Sequence, residues 1–100
     1  MLDAGYYARP TVFTDVDQDS AIALEEIFGP VLSIIPYDSQ EEAIDLANDS
    51  DYGLAASVWG SDPDEALSVG RQLVAGTISV NGGAFNPSAP YGGLRRSGMG

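Results

Sequence analysis

Apolar residues recur at strand and helix spacing along this chain, and the breaks between them fall on Gly, Pro, Asp and Ser. Residues 1–10 are polar and contain Gly and Pro, as an entry segment would. Thr11 to Val16 carries Val12, Phe13 and Val16 and predicts a short strand. Ala21 to Ile27 predicts a helix of about two turns, with Asp19 or Ser20 as N-cap and Gly29-Pro30 as its stop. Val31 to Tyr37 is a nearly continuous apolar run, the pattern of a strand covered on both faces.

Ser39-Gln40-Glu41-Glu42 has the form of a capping box, in which a hydroxyl and a carboxylate three residues later satisfy two orphan amides. The helix behind it reaches about Asn48 and should bury Ala43, Ile44 and Ala47. After the turn Asp51-Tyr52-Gly53, Leu54 to Trp59 predicts a strand of mostly small residues, with Leu54 and Trp59 in the core. Asp62-Pro63-Asp64-Glu65 is the strongest local signal: a good N-cap, Pro at the first helical position and a Glu that completes the box. Ala66, Gly70, Leu73 and Val74 then fall on one helical face, and Gly76 reads as a left-handed cap. Thr77 to Asn81 alternates as a strand, and the Gly- and Pro-rich remainder should be loop.

The middle of the chain thus reads β-α-β-α-β with crossover helices. That order predicts an α/β fold with a largely parallel sheet, whose ligands sit beyond the carboxyl ends of the strands. The long loop after Asn81 follows such an end.

Composition narrows the function. The 100 residues make at most one small domain, and 44% hydrophobic content is enough for a core. A net charge of −11, from 15 acidic and 4 basic residues, argues against nucleic acid and against an anionic membrane surface. No apolar run approaches the roughly 20 residues of a membrane span. Met1-Leu2-Asp3 is unlike the start of a signal peptide, so a cytoplasmic location is expected. The chain has no Cys and no His. It therefore offers no thiol nucleophile, and it lacks the commonest general base and metal ligand.

Several motifs admit a bland reading. The adjacent carboxylates Glu25 and Glu26 diverge on a helix and cannot flank one bond as an acid–base pair. Both can be solvated or capping. Alternatively, one can accept two hydrogen bonds from a vicinal diol such as a ribose. Gly93-Leu94-Arg95-Arg96-Ser97-Gly98 has phosphate-loop spacing but is followed by Met99-Gly100 and lies outside a strand–helix context. Asp15 to Glu26 fails the calcium-loop pattern at its Gly position, occupied by Ser20. Phe85 and Tyr91 are either packing anchors of the last loop or the mouth of a pocket.

Five collinear stretches carry a more specific signal: Tyr7-x-x-Pro10-Thr11-Val12; Glu25-Glu26-Ile27-Phe28-Gly29-Pro30-Val31; Ala47-Asn48-x-x-x-Tyr52-Gly53-Leu54-Ala55-Ala56; Ala75-Gly76-Thr77-x-x-Val80-Asn81; and Pro90-Tyr91-Gly92-Gly93-x-x-x-Ser97-Gly98-x-Gly100. Together they resemble the C-terminal part of the catalytic domain of the aldehyde dehydrogenase superfamily. The resemblance implies that residues 1–100 are a fragment of an enzyme that oxidises an aldehyde to a carboxylic acid with NAD or NADP. It implies that Glu26 holds the nicotinamide ribose, that Phe28 packs beside the nicotinamide and that Leu54 lies near that ring. It also implies that Phe85 and Tyr91 shape the aldehyde channel. The family's catalytic Cys, its general-base Glu and its Rossmann-type cofactor domain all fall upstream of the matching region. Leu94-Arg95 stands where the family commonly has Tyr-Lys.

On this reading the isolated chain is inactive, and it self-associates or belongs to a homo-oligomer. The competing class is a stand-alone acidic α/β interaction module, which would need a closed surface of its own.

Overall fold

The structure is a computed structural model that describes residues 4–100. Met1-Leu2-Asp3, read above against a signal peptide, lies outside the described residues. The chain divides into two compact units, residues 1–37 and 38–100.

In the first unit, β1 (Thr11–Phe13) pairs in parallel with β2 (Val31–Ser33), and α1 (Ala21–Leu24) connects them. All three elements are shorter than predicted. Asp15 adopts φ +54 and breaks the first strand. Two further rungs, Ile34 N–H to Phe13 O at 2.9 Å and Val16 N–H to Ile34 O at 3.1 Å, straddle that break. The second run ends as a strand where its partner ends. α1 stops at Leu24 because Glu25 is already extended, at φ −96 and ψ 145. The Ser33 hydroxyl reaches the Ile22 carbonyl at 3.5 Å, tying β2 to α1.

In the second unit, α2 (Gln40–Asn48) precedes β3 (Ala55–Val58), α3 (Pro63–Gly70) and β4 (Thr77–Val80). The Ser39 hydroxyl caps α2 by accepting from Glu42 N–H at 3.1 Å. The Glu42 carboxylate returns the favour one residue upstream, accepting from Asp38 N–H at 2.6 Å. Of the predicted α2 core face, Ile44 is buried, Ala43 is half-buried and Ala47 is exposed. Asp62 Oδ1 caps α3 through Asp64 N–H at 2.9 Å and Glu65 N–H at 3.2 Å.

Strands β3 and β4 are parallel, with Ala56 opposite Ile78 and Val58 opposite Val80. The alternation sets Ser57 and Ser79 on the other face, where their hydroxyls bond at 2.9 Å. α3 lies on the apolar face. A Cβ at Gly70 would touch Ile78 and Val80 methyls at 3.3 and 3.4 Å, so glycine lets the helix seat this closely. Parallel pairing and connecting helices confirm the α/β class. The order is β-α-β twice with α2 between, and the two parallel pairs are separate sheets.

α3 ends at Gly70, earlier than predicted. Its last turn tightens through Gln72 N–H to Val69 O and Leu73 N–H to Gly70 O. The Asn48 side chain then takes the next free groups, donating to Gln72 O at 2.9 Å and accepting from Val74 N–H at 2.8 Å. Val74, expected on the buried face, is 40% exposed. Gly76 is not a left-handed cap, since the positive-φ glycines among the described residues are Gly5, Gly82, Gly98 and Gly100.

The core is smaller than the composition suggested. Ile44 and Ala66 are the buried apolar side chains among the described residues. Trp59 and Leu54, expected in the core, are 73% and 42% exposed. The accessible surface is 7851 Å². A compact 10.4 kDa domain would expose about 5400 Å², and two independent units of these sizes about 6500 Å². Val12, Phe13, Leu32 and Ile34 are among the uncovered side chains. The closed surface that a stand-alone module needs is absent.

Candidate functional site

The first unit places Glu26 and Phe28 between α1 and β2, with both residues exposed. Glu25 and Glu26 lie beyond the helix, with Glu25 already extended, so helical geometry does not set their relative directions. The Glu26 carboxylate has no hydrogen-bond or ion-pair partner among the described residues, leaving both oxygens open to accept. Two residues on, the Phe28 ring is 93% exposed and its backbone sits at φ +53. Left-handed backbone is uncommon outside Gly, Asn and Asp and is a true outlier for a bulky residue. An open carboxylate of this kind has the capacity to accept two hydrogen bonds from a vicinal diol.

The second unit holds Leu54, Phe85 and Tyr91. Leu54 leads into β3 directly after the buried Gly53. Gly53 is a crossing point: its N–H donates to Ser97 Oγ at 3.0 Å, and its carbonyl accepts from Gly76 N–H and Leu94 N–H, each at 3.0 Å. Phe85 and Tyr91 meet edge to face, with centroids 6.2 Å apart and planes at 73°. With Ile78, Val80 and Pro90 they border a recess of about 520 Å³ beside β4, within the roughly 300–1,000 Å³ range of ligand pockets. The structure thus brings Phe85 and Tyr91 together on the wall of this recess and sets Leu54 at the root of the neighbouring strand.

Sequence reasoning missed the residues that hold this region. Asn81, at φ +49, accepts from Gly60 N–H at 2.9 Å and donates to Gly60 O at 3.0 Å. The Arg95 guanidinium donates to the Asn48 carbonyl at 2.6 Å and to that of Ser50, so this departure from Tyr-Lys binds the end of α2. Arg96 pairs with Asp51 at 3.3 Å and lies 5.3 Å from the Tyr52 ring centroid. Both partners of that ion pair are well exposed, and it contributes at most about 1 kcal/mol. An Asn before a Gly-rich loop was the available signal for Asn81, because Asn tolerates left-handed backbone and can mimic a turn.

A model described as the aldehyde dehydrogenase family matches residues 1–100. The chain belongs to the aldehyde dehydrogenase family. A geranial dehydrogenase of Castellaniella defragrans is 52% identical over 98 residues, which are 98% of this chain and 20% of that protein. A Mycobacterium tuberculosis aldehyde dehydrogenase solved with NAD+ superposes at a TM-score of 0.91 with 53% identity, covering 96% of this chain and 20% of the other. Aldehyde dehydrogenase C of Pseudomonas syringae, solved with NAD+ and octanal, gives 0.91 and 52% over the same shares. The chain therefore spans about one-fifth of the length of these aldehyde dehydrogenases. Among the described residues, no helix is long and apolar enough to cross a membrane.

Proposed function

We propose that this segment serves an NAD(P)-dependent aldehyde dehydrogenase as the C-terminal part of its catalytic domain, oxidising an aldehyde to a carboxylic acid. The observation that carries the reading is the open carboxylate of Glu26 two residues from the bare, strained Phe28. Glu26 would accept from the two ribose hydroxyls and so fix the rotation of the nicotinamide half. Phe28 would cover one side of the ring, and Leu54 would lie near it. When bound, the dinucleotide supplies the hydride acceptor. Phe85 and Tyr91 would wall the channel through which an aldehyde approaches. Relatives solved with NAD+, one of them with octanal as well, support the cofactor and substrate class. The uncovered apolar strands support contact with the remaining four-fifths of such an enzyme, which on this reading is a cytoplasmic homo-oligomer.

Glu26→Gln in the full-length enzyme tests this reading. The change keeps the shape, removes the charge and halves the acceptor capacity. Hydrogen bonds to charged groups contribute roughly 1.5–3 kcal/mol. If that energy orients the ring, hydride transfer should slow about 10- to 100-fold. Glu25→Gln should change little, because this reading gives the ribose contact to Glu26 alone. Single-turnover kinetics on both variants measure this, and equal effects at the two positions would refute the assignment of Glu26.

A further inference from the structure

We infer that Asn81 is a positioning residue that sets the aldehyde channel by fixing the root of the loop carrying Phe85 and Tyr91. The inference rests on the channel reading above and adds a residue that touches neither substrate nor cofactor. Its basis is how residues 82–92 are held. Between Ala84 and Gly92, the hydrogen bonds among the described residues are internal: Ala89 N–H to Asn86 O and Ser88 N–H to Asn86 Oδ1. Nothing along the span ties it by hydrogen bond to a strand or helix. By hydrogen bonding, the loop that carries Phe85 and Tyr91 is therefore held at its two ends.

The far end is secured at Gly53 through Leu94 N–H and Ser97 Oγ. The near end is secured by Asn81. Its N–H makes the last rung to Val58 O at 2.9 Å. Its side-chain amide closes a two-bond ring with the backbone of Gly60. One amide thus joins the end of β4 to the turn after β3, where neither strand continues. Gly82 follows directly beneath the Trp59 indole, whose Cη2 lies 2.9 Å from where a Cβ would be. Without the amide ring, the near end would be held by two backbone bonds alone, Asn81 N–H to Val58 O and Gly83 N–H to Val80 O at 3.1 Å, and nothing would tie it to the turn at Gly60.

The test uses the enzyme that carries this segment at the length of its relatives, with octanal as the aldehyde. Three variants are compared: Asn81→Gly, Asn81→Asp and Phe85→Ala. Glycine accepts φ +49 without strain, so Asn81→Gly removes the amide but also frees the backbone ahead of Gly82, which Asn81→Asp does not. Asp keeps the acceptor for Gly60 N–H and loses the donor. Asn81→Gly should raise KM for octanal about 5- to 10-fold, the effect of one or two neutral hydrogen bonds. KM for the dinucleotide should stay within about twofold, and Asn81→Asp should fall between wild type and Asn81→Gly. Hydrogen exchange should quicken in residues 83–92. If Phe85→Ala raises KM for octanal and Asn81→Gly does not, the inference fails while the channel reading stands. If KM for both substrates rises together with a fall in Tm, the role is merely structural and the inference also fails. If neither variant changes KM for octanal, both readings fall. Should Asn81→Gly not fold, Asn81→Asp decides by the same criteria.

Discussion

Gly76 offers a prediction in which two physical roles give opposite rankings. A left-handed cap tolerates Asn better than Ala, since Asn visits that region and the cost is backbone strain. A close approach ranks them by size, so Ala is the milder change. The structure favours close approach. A Cβ on Gly76 would run into the Gly92 carbonyl oxygen, with Gly92 C at 2.8 Å and Gly93 Cα at 3.0 Å. All three atoms are backbone and cannot swing aside. Overpacking costs about 1–3 kcal/mol, and an immovable backbone places Gly76→Ala near about 3 kcal/mol, with Gly76→Asn beyond it. Relatives about five times this length imply about 500 residues and an unfolding entropy of about 1 kcal/mol/K, so Tm should fall about 3 °C for Ala. Gly83→Ala is the control, because its Cβ would meet nothing nearer than Val80 O at 3.5 Å. Fixed-rate calorimetry of the full-length variants measures the shifts. A milder effect for Asn than for Ala would refute the close-approach argument.

Two further outcomes concern the 100-residue chain alone. It should show no NAD(P)-dependent oxidation of any aldehyde, since it has no Cys and no other residue supplies the thiol; turnover by the pure chain, followed at 340 nm, would overturn this. It should also associate or bind an apolar-surface dye, because Val12, Phe13, Leu32 and Ile34 are uncovered. A monodisperse monomer with cooperative unfolding and no dye binding would contradict that.

Local chemistry made much of the fold legible. Ser39 and Asp62 announce their helices because a cap is a contact between near neighbours. The Thr77–Val80 alternation is legible because one face meets α3 and the other does not. Element ends were less legible, because distant residues decide them. α3 stops short because Asn48, 24 and 26 residues away from its two partners, takes the groups that a longer helix would use. β2 ends where its neighbour loses register at Asp15. The core was overestimated because apolar content counts side chains meant for another surface as well as those buried within the chain. The roles given to Glu26, Phe28, Leu54, Phe85 and Tyr91 are what the family resemblance implies. The clamps at Asn81 and Gly53 were hard to read, since each joins segments more than twenty residues apart: Asn81 offered only the cue of an Asn before a Gly-rich loop, and Gly53 has no side chain to carry one.

Phe28 shows how this division works. A positive φ was available nearly free at Gly29, the next residue, yet the chain sets Gly29 outside that region and puts the strain on Phe28. Placing a bulky residue there costs of order 1–3 kcal/mol and persists only where surrounding structure or function demands it. The packing around it gives no such demand, since the ring is 93% exposed. The demand therefore lies outside these residues, in the rest of an enzyme about five times this length or in a ligand it binds. Glu26 faces the same demand two residues earlier, with an open carboxylate that the fold leaves unused. On the proposed reading, a backbone that spends stability to hold an aromatic ring in the open, two residues from an unused acceptor, would suit a ligand that combines a flat ring with hydroxyl donors, as a nicotinamide riboside does, and loss of the Glu26→Gln effect on hydride transfer would remove that account.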